Sequence, residues 1–514
     1  MSGICVNEDI AHFYANHPED EMTAAGCTAL VDFYARFPEV VQLLFCANVQ
    51  RALFDSQVWE PIYADYDPEG GPHQPALRWL ENPMDRELTL GSQGRFWIHN
   101  LWLLRQRGVD HLACFLSRCR QRGIEAWLSV RMNDGHFLGT ADAFWHSSFW
   151  RQNPQWWITP HDPVGGGRAF DYRHREVRDH FLALIAELLA RYDLDGLELD
   201  WIRGYPYFPE DAAQAGVPLL NELTAEVRRL ADAAAVRLGH PVQVGARVPS
   251  HPSAGPPLGL DGVAWARQGW VDQLVLSGRV TGIEFTMPVR AWRQAVGERA
   301  VRLVAQFGTN TLAYPAAREH GAAALAQATP ELLAGAAGAA FGQGADRVYL
   351  FNHCYYEAEP GRREWYIRLL ETIGSPTSLA WRPRRHAVTF PEISPPGAGH
   401  QAALPVLVAP EAPGAFDIWV APVPAGTIGA VVLGFERGRP APSPLDLRVQ
   451  VNGQPCRYLA VVPPGEPPLD LPAMADPRMT FMVPAGAIVD GTNAVAVACA
   501  AGSGSLVWCE VRIC

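Results

Sequence analysis

Not one lysine occurs in this 514-residue chain; all 42 basic side chains are arginine. That excludes a Schiff-base lysine, a pyridoxal-phosphate lysine and a P-loop lysine. The ten cysteines include no C-x-x-C pair and no tight framework, so they read as reduced thiols in core positions. There is no H-E-x-x-H, no H-x-H at the end of the first strand and no cysteine pair for zinc. A metal-dependent amidohydrolase barrel is therefore not expected, and no metal ligand is assigned. No G-x-S-x-G elbow appears. The pieces GGGRAF and FGQGAD lack the strand–helix context of a dinucleotide fingerprint and read as turns. No cofactor is expected.

Long apolar runs are missing too, which argues against a membrane span. The opening MSGICVNEDI has no basic region followed by an apolar core, so it does not read as a signal peptide. A cytoplasmic location is expected, unless the sequence starts after a cleaved leader. The net charge of −12 leaves no basic surface for nucleic acid.

What is present is a repeating pattern. Strand-like runs alternate with helical ones across residues 3–375: 3–14, 40–51, 124–136, 193–201, 241–251, 271–278, 301–310 and 346–356. Helical periodicity separates them, as in 174–192, where Val177, Phe181, Leu184, Ile185 and Leu188 share one face. Eight such repeats predict a parallel (β/α)8 TIM barrel over residues 1–375. Residues 376–400, rich in proline and glycine, read as a linker. Residues 401–514 carry short alternating runs, one across an Asn452-Gly453 turn, and predict an all-β sandwich domain.

The fourth strand organises the chain. In DLDGLELDWIRGYPYF, Leu197, Leu199 and Trp201 alternate with Glu198 and Asp200. The apolar set should face the helices and the two carboxylates the barrel interior, where unpartnered charge is costly. Asp200 lies at the C-terminal end, where barrel active sites are built. Glu198 should lie about 6.6 Å deeper, as a structural or pKa-tuning partner.

Cleavage of a glycosidic bond needs two carboxyl groups flanking it. Asp200 is one candidate catalytic residue. Glu284, after the sixth strand, is first choice for the second, and Asp134, after the third, is the runner-up. Arg131, Asn133, His136, Arg203 and Arg247 supply donors at neighbouring strand ends, with Asn48, Arg51, Trp201, Tyr205, Asn352 and His353 as further substrate contacts. Trp145, Trp150, Trp156 and Trp157 share one loop and offer a platform for a sugar ring. The expected partner is a carbohydrate. A sugar-binding protein that has lost catalysis is the alternative; it predicts no second carboxyl group within reach of Asp200.

These residues carry a resemblance. DGLELDWIRGYPYF, preceded by FDYRHREVRDHFLALIAELLARYDLDG, resembles bacterial family 10 glycosyl-hydrolase-like barrel proteins. WLSVRMNDGH and RVYLFNHCYY look like their third and eighth strands, and the likeness covers most of residues 3–375. It implies a carbohydrate-active barrel. The run from Asp195 to Trp201 is also similar to the fourth strand of the α-galactosidase-like clan. That likeness implies Asp200 as nucleophile and Glu284 as acid/base, although Glu198 stands where those enzymes usually have aspartate. Against the chitinase signature D-G-x-D-x-D-x-E, Asp195 and Asp200 match, but Ile202 occupies the catalytic glutamate's place. The C-terminal region resembles galactose-binding-like sandwiches appended to glycosidases.

Overall fold

The computed structural model describes residues 2–9, 11–70, 74, 76–77, 90–140, 143–159, 166–204, 206–279, 282–315, 325–394, 401–424, 426–462 and 471–513. Eight parallel strands close a barrel: β1 (Ile4–Glu8), β2 (Val40–Cys46), β3 (Glu125–Arg131), β4 (Gly196–Asp200), β5 (Gln243–Pro249), β6 (Gln273–Ser277), β7 (Arg302–Phe307) and β8 (Arg347–Leu350). They follow chain order around the ring, and β8 pairs with β1 to close it. Each observed strand lies inside an expected run. Within the first run the strand ends at Glu8, and the chain then turns into a short helix, His12–Asn16. Among the described residues no helix is long and apolar enough to cross a membrane.

The parity read from β4 holds. In register, Ser129, Glu198 and Gly245 sit side by side, as do Arg131, Asp200 and Arg247 one layer higher. Cys5, Leu44, Trp127, Val275, Val304, Tyr349 and Phe351 form a small apolar core separate from the large one outside. The outward set, Leu197, Leu199 and Trp201, belongs to that outer core between strands and helices.

Trp127 is the largest filler of the barrel floor. It fits because its neighbouring strands present glycine: a Cβ on Gly196 would lie 2.4 Å from the Trp127 ring, and one on Gly245 2.9 Å from it. Large beside small is the arrangement by which a closed interior packs.

The stretch expected as a linker is structured where described. Its strand Arg384–Ala387 pairs with Gly504–Ile513 at the edge of a six-stranded antiparallel sheet. A four-stranded antiparallel sheet accompanies it, and in strands such as Gly414–Val420 buried and outward residues alternate. Arg385, which looks like a surface residue in the sequence, is buried against Glu510 at 2.7 Å. The Ala/Gly-rich helix Pro330–Gly342 joins barrel to sheets through its glycines. A Cβ on Gly335 would lie 1.9 Å from the Arg385 carbonyl, and one on Gly342 2.1 Å from the Trp419 ring.

Adding one methyl group at Gly196 therefore overpacks the floor. Gly196→Ala is expected to cost about 1–3 kcal/mol or more, read as a lower midpoint in denaturant melts.

Candidate active site at the barrel mouth

Asp200 ends β4 fully buried, with both oxygens engaged. Oδ1 accepts from the backbone N–H groups of Ile202 (3.0 Å) and Arg203 (3.2 Å). Oδ2 accepts from Arg247 Nη1 at 2.9 Å, across the β4–β5 register. Asp200 thus fixes the turn that leaves its own strand and neutralises the arginine beside it. Arg247 stacks its guanidinium 3.9 Å from the centre of the Phe351 ring and donates through Nε to Ser277 Oγ at 3.2 Å. Its Nη2 is buried with no hydrogen-bond partner.

Glu198 sits one layer deeper and is inaccessible to solvent. Ser129 Oγ (2.8 Å) and Tyr349 OH (3.0 Å) both donate to Oε1, while Oε2 has no partner. Burial, reinforced by the charge of Asp200, pushes its carboxyl up to about 7.

Glu284 hangs from the ends of two strands. Ser250, just after β5, lies 2.9 Å through Oγ from both carboxyl oxygens, and its N–H donates to the Ser277 carbonyl at the end of β6 (2.7 Å). Thr286 Oγ1 adds a weaker contact at 3.3 Å. Burial pushes Glu284 up to about 8; Ser250 opposes the rise and the nearby charge of Glu392 adds to it. Glu392 comes from the stretch after the strand Arg384–Ala387, and its Oε2 accepts the Arg279 N–H at 2.9 Å. Neither Ser250 nor Glu392 stood out in the sequence: one is a lone serine, the other sits in an apparent linker.

Asp134 is a different kind of carboxylate. Oδ2 accepts from Arg131 Nη1 (2.8 Å). Oδ1 takes the His136 N–H (3.0 Å), His136 Nδ1 (2.5 Å) and Trp145 Nε1 (3.0 Å). Burial works against its charge, but His136 and Arg131 outweigh it and hold the carboxyl well below the usual range. A carboxylate so saturated has no proton to give, so the geometry does not suit the acid/base role considered for it. Arg131 in turn clamps Asp9, whose other oxygen accepts from Tyr355 OH at 2.9 Å. His136 Nε2 meets Arg203 Nη2 at 2.9 Å, which brings the loops after β3 and β4 together.

Several expected substrate contacts are committed to architecture instead. Asn48 donates to the Arg131 carbonyl and accepts its N–H, both at 3.0 Å. Asn133 bridges the Phe170 backbone and the Pro206 carbonyl. Arg51 is buried and paired with Glu60 and Asp65 of the insertion after β2. Trp201 points out of the barrel, 5.0 Å from Tyr207 and 6.0 Å from Trp265 between ring centres, as its strand parity requires. His353 is buried, its Nε2 against the Gly308 carbonyl at 2.9 Å and its ring stacked on Trp365. Asn352, at φ 62°, is half-buried, with an unpartnered Oδ1. Tyr205 lies outside the described residues. In the tryptophan loop, Trp145 and Trp150 are buried, while Trp156 and Trp157 keep partial exposure.

The residues the mouth brings together are thus Asp200, Arg247, Glu198, Arg131, Asp134, His136 and Arg203. Glu284 is joined to them through Ser250 and Ser277 at the ends of β5 and β6.

No family model matches the chain, and no curated protein does. Solved structures with a similar chain path include glycoside hydrolases. Alpha-L-fucosidase isoenzyme 2 from Paenibacillus thiaminolyticus shares 14% identity at a TM-score of 0.44, covering 75% of this chain. This chain spans about half of that fucosidase, 51% of its length. The glycoside hydrolase domain of PgaB (BpsB) from Bordetella bronchiseptica shares 11% identity at a TM-score of 0.39, covering 73% of this chain and 99% of that one. A beta-N-acetylhexosaminidase shares 13% at 0.39, covering 74% and 73%.

The two raised carboxyl groups set a pH dependence. Native Glu198 and Glu284 hold protons that the unfolded chain releases above its ordinary value of 4.5. Their stabilising contribution is complete below that value and is lost as pH rises through about 7 and about 8 respectively. Denaturant melts between pH 5 and pH 9 are expected to show stability falling across this window, and Glu284→Gln is expected to flatten its upper part.

Proposed function

We propose that this chain is a glycoside hydrolase that cleaves an oligo- or polysaccharide through carboxyl groups at the barrel mouth. The observation that carries this reading is the contrast between Glu284 and Asp200. Glu284, up to about 8, keeps its proton at neutral pH. Asp200 accepts three hydrogen bonds and donates none. A carboxyl group that holds its proton, together with one whose oxygens accept hydrogen bonds, is suited to divided acid and nucleophile roles.

In this reading Glu284 protonates the departing glycosidic oxygen, and Asp200 attacks or stabilises the positive charge that develops at the sugar carbon. Arg247 places the reactive oxygen of Asp200 and offers its free Nη2 to a sugar oxygen. Arg203 adds donors at the rim, held there by His136, and Trp156 or Trp157 gives a ring face. The arginine content suits a sugar bearing a carboxylate or sulfate.

A second reading rests on the same bonds. Both oxygens of Asp200 are already engaged, which favours a sugar-binding barrel without turnover.

The two separate on a panel of aryl glycosides and oligosaccharides. For hydrolysis, Glu284→Gln is expected to lower kcat by about 10²–10⁴-fold while leaving binding largely intact, and wild-type rates should fall as pH rises past about 8. Asp200→Asn is expected to abolish turnover, with circular dichroism confirming that it folds. Saccharide binding in calorimetry without turnover on any substrate selects the second reading. Wild-type rates in both variants would overturn the assignment.

A further inference from the structure

The loops that follow β1 and β8 carry a cluster that the proposed chemistry does not use. His12 opens the helix His12–Asn16, His17 caps it, and Glu357 ends the 3-10 turn Cys354–Glu357. His12 Nε2 lies 3.9 Å and His17 Nε2 3.5 Å from one atom, Glu357 Oε2. All three lie within 4.8 Å of one another. Both ring nitrogens are buried without a hydrogen-bond partner, and the whole His12 side chain is inaccessible to solvent.

The far side of each ring is tied down. His12 Nδ1 meets Glu8 Oε2 at 2.8 Å, and His17 Nδ1 meets Glu21 Oε2 at 2.7 Å. A carboxylate on one ring nitrogen holds the proton there and leaves the other as a lone pair. With the proton on Nδ1 of each ring, both Nε2 atoms would offer lone pairs on the side of Glu357. Arg363 braces the other oxygen of Glu357 at 2.8 Å. Asn16 Oδ1, also buried and unpartnered, belongs to the same wall. One side opens on a cavity of about 730 Å³ lined by Asn16, His17, Glu21 and Glu357 among others.

We propose that His12, His17 and Glu357 bind a divalent first-row transition-metal ion through Nε2, Nε2 and Oε2, with a remaining position facing the cavity. Two imidazoles and one carboxylate are a donor set for zinc or iron(II). Calcium and magnesium prefer all-oxygen shells and do not fit it. The carboxylate–histidine contacts are the outer partners that orient such ligands. The ion ties the loop after β1 to the loop after β8, across the seam where the barrel closes.

A neighbouring trio, Glu8, His12 and Cys354, is a weaker candidate. Glu8 is already held by Tyr34 and by His12, and burial keeps the Cys354 thiol protonated.

The test uses the full chain, stripped with chelator and titrated with zinc alone or cobalt(II) alone. One ion per chain is expected, with a raised melting temperature and cobalt bands free of thiolate charge transfer. His12→Ala and Glu357→Gln are expected to abolish both signals. Glu21→Gln is expected to weaken affinity by about 10- to 100-fold, and Cys354→Ser to leave it unchanged. Three outcomes would overturn the proposal: no binding by folded wild type, a thiolate band in the cobalt spectrum, or unaltered affinity in folded Glu357→Gln.

Discussion

The ion pair between Asp200 and Arg247 is the constraint around which the mouth is built. Opposite charges occupy paired positions on adjacent strands, both out of reach of water. Removing either partner strands the other in a dry interior, at a cost of about 3–5 kcal/mol. The pair does more than cancel charge. Asp200 fixes the turn after β4 through two backbone N–H groups, and Arg247 passes the constraint on to Phe351 and Ser277. Burial lifts Glu198 one layer down, and the same negative charge adds to the rise. Position and loop shape therefore follow from a single contact.

A rim of carboxyl groups in two states surrounds this pair. Asp134 pairs with an arginine and stays charged; Glu284 meets neutral donors and stays neutral. The difference lies in the partners, since the Arg131 guanidinium faces Asp134 while Glu284 meets hydroxyls and the charge of Glu392. Because Glu392 follows the first strand of the C-terminal sheets, those sheets help set the electrostatics of the barrel mouth.

Strand positions and side-chain parity were readable because a period of two needs no knowledge of partners. Glu198 and Asp200 face inward on that basis alone, and the same alternation sends Trp201 outward. Asn48, Asn133 and Arg51 were misread for the opposite reason: the residue types that bind sugar hydroxyls also satisfy buried loop backbone and paired acids. Only the fold decides which partner arrives first. The strand Arg384–Ala387 was hidden by its three polar residues and proline-rich surroundings; Arg385 is tolerable inside because Glu510, far along the chain, meets it. His12 and Glu357 escaped notice for want of spacing, as they stand at opposite ends of the barrel sequence.

The glycine-lined helix Pro330–Gly342 has a consequence for how the molecule can be divided. Where its glycines meet the Arg385 carbonyl and the Trp419 ring, the approach is too close to admit even a Cβ. Such a junction behaves as a weld rather than a hinge. A barrel cut free at residue 375 would leave those glycines without the partners they fit.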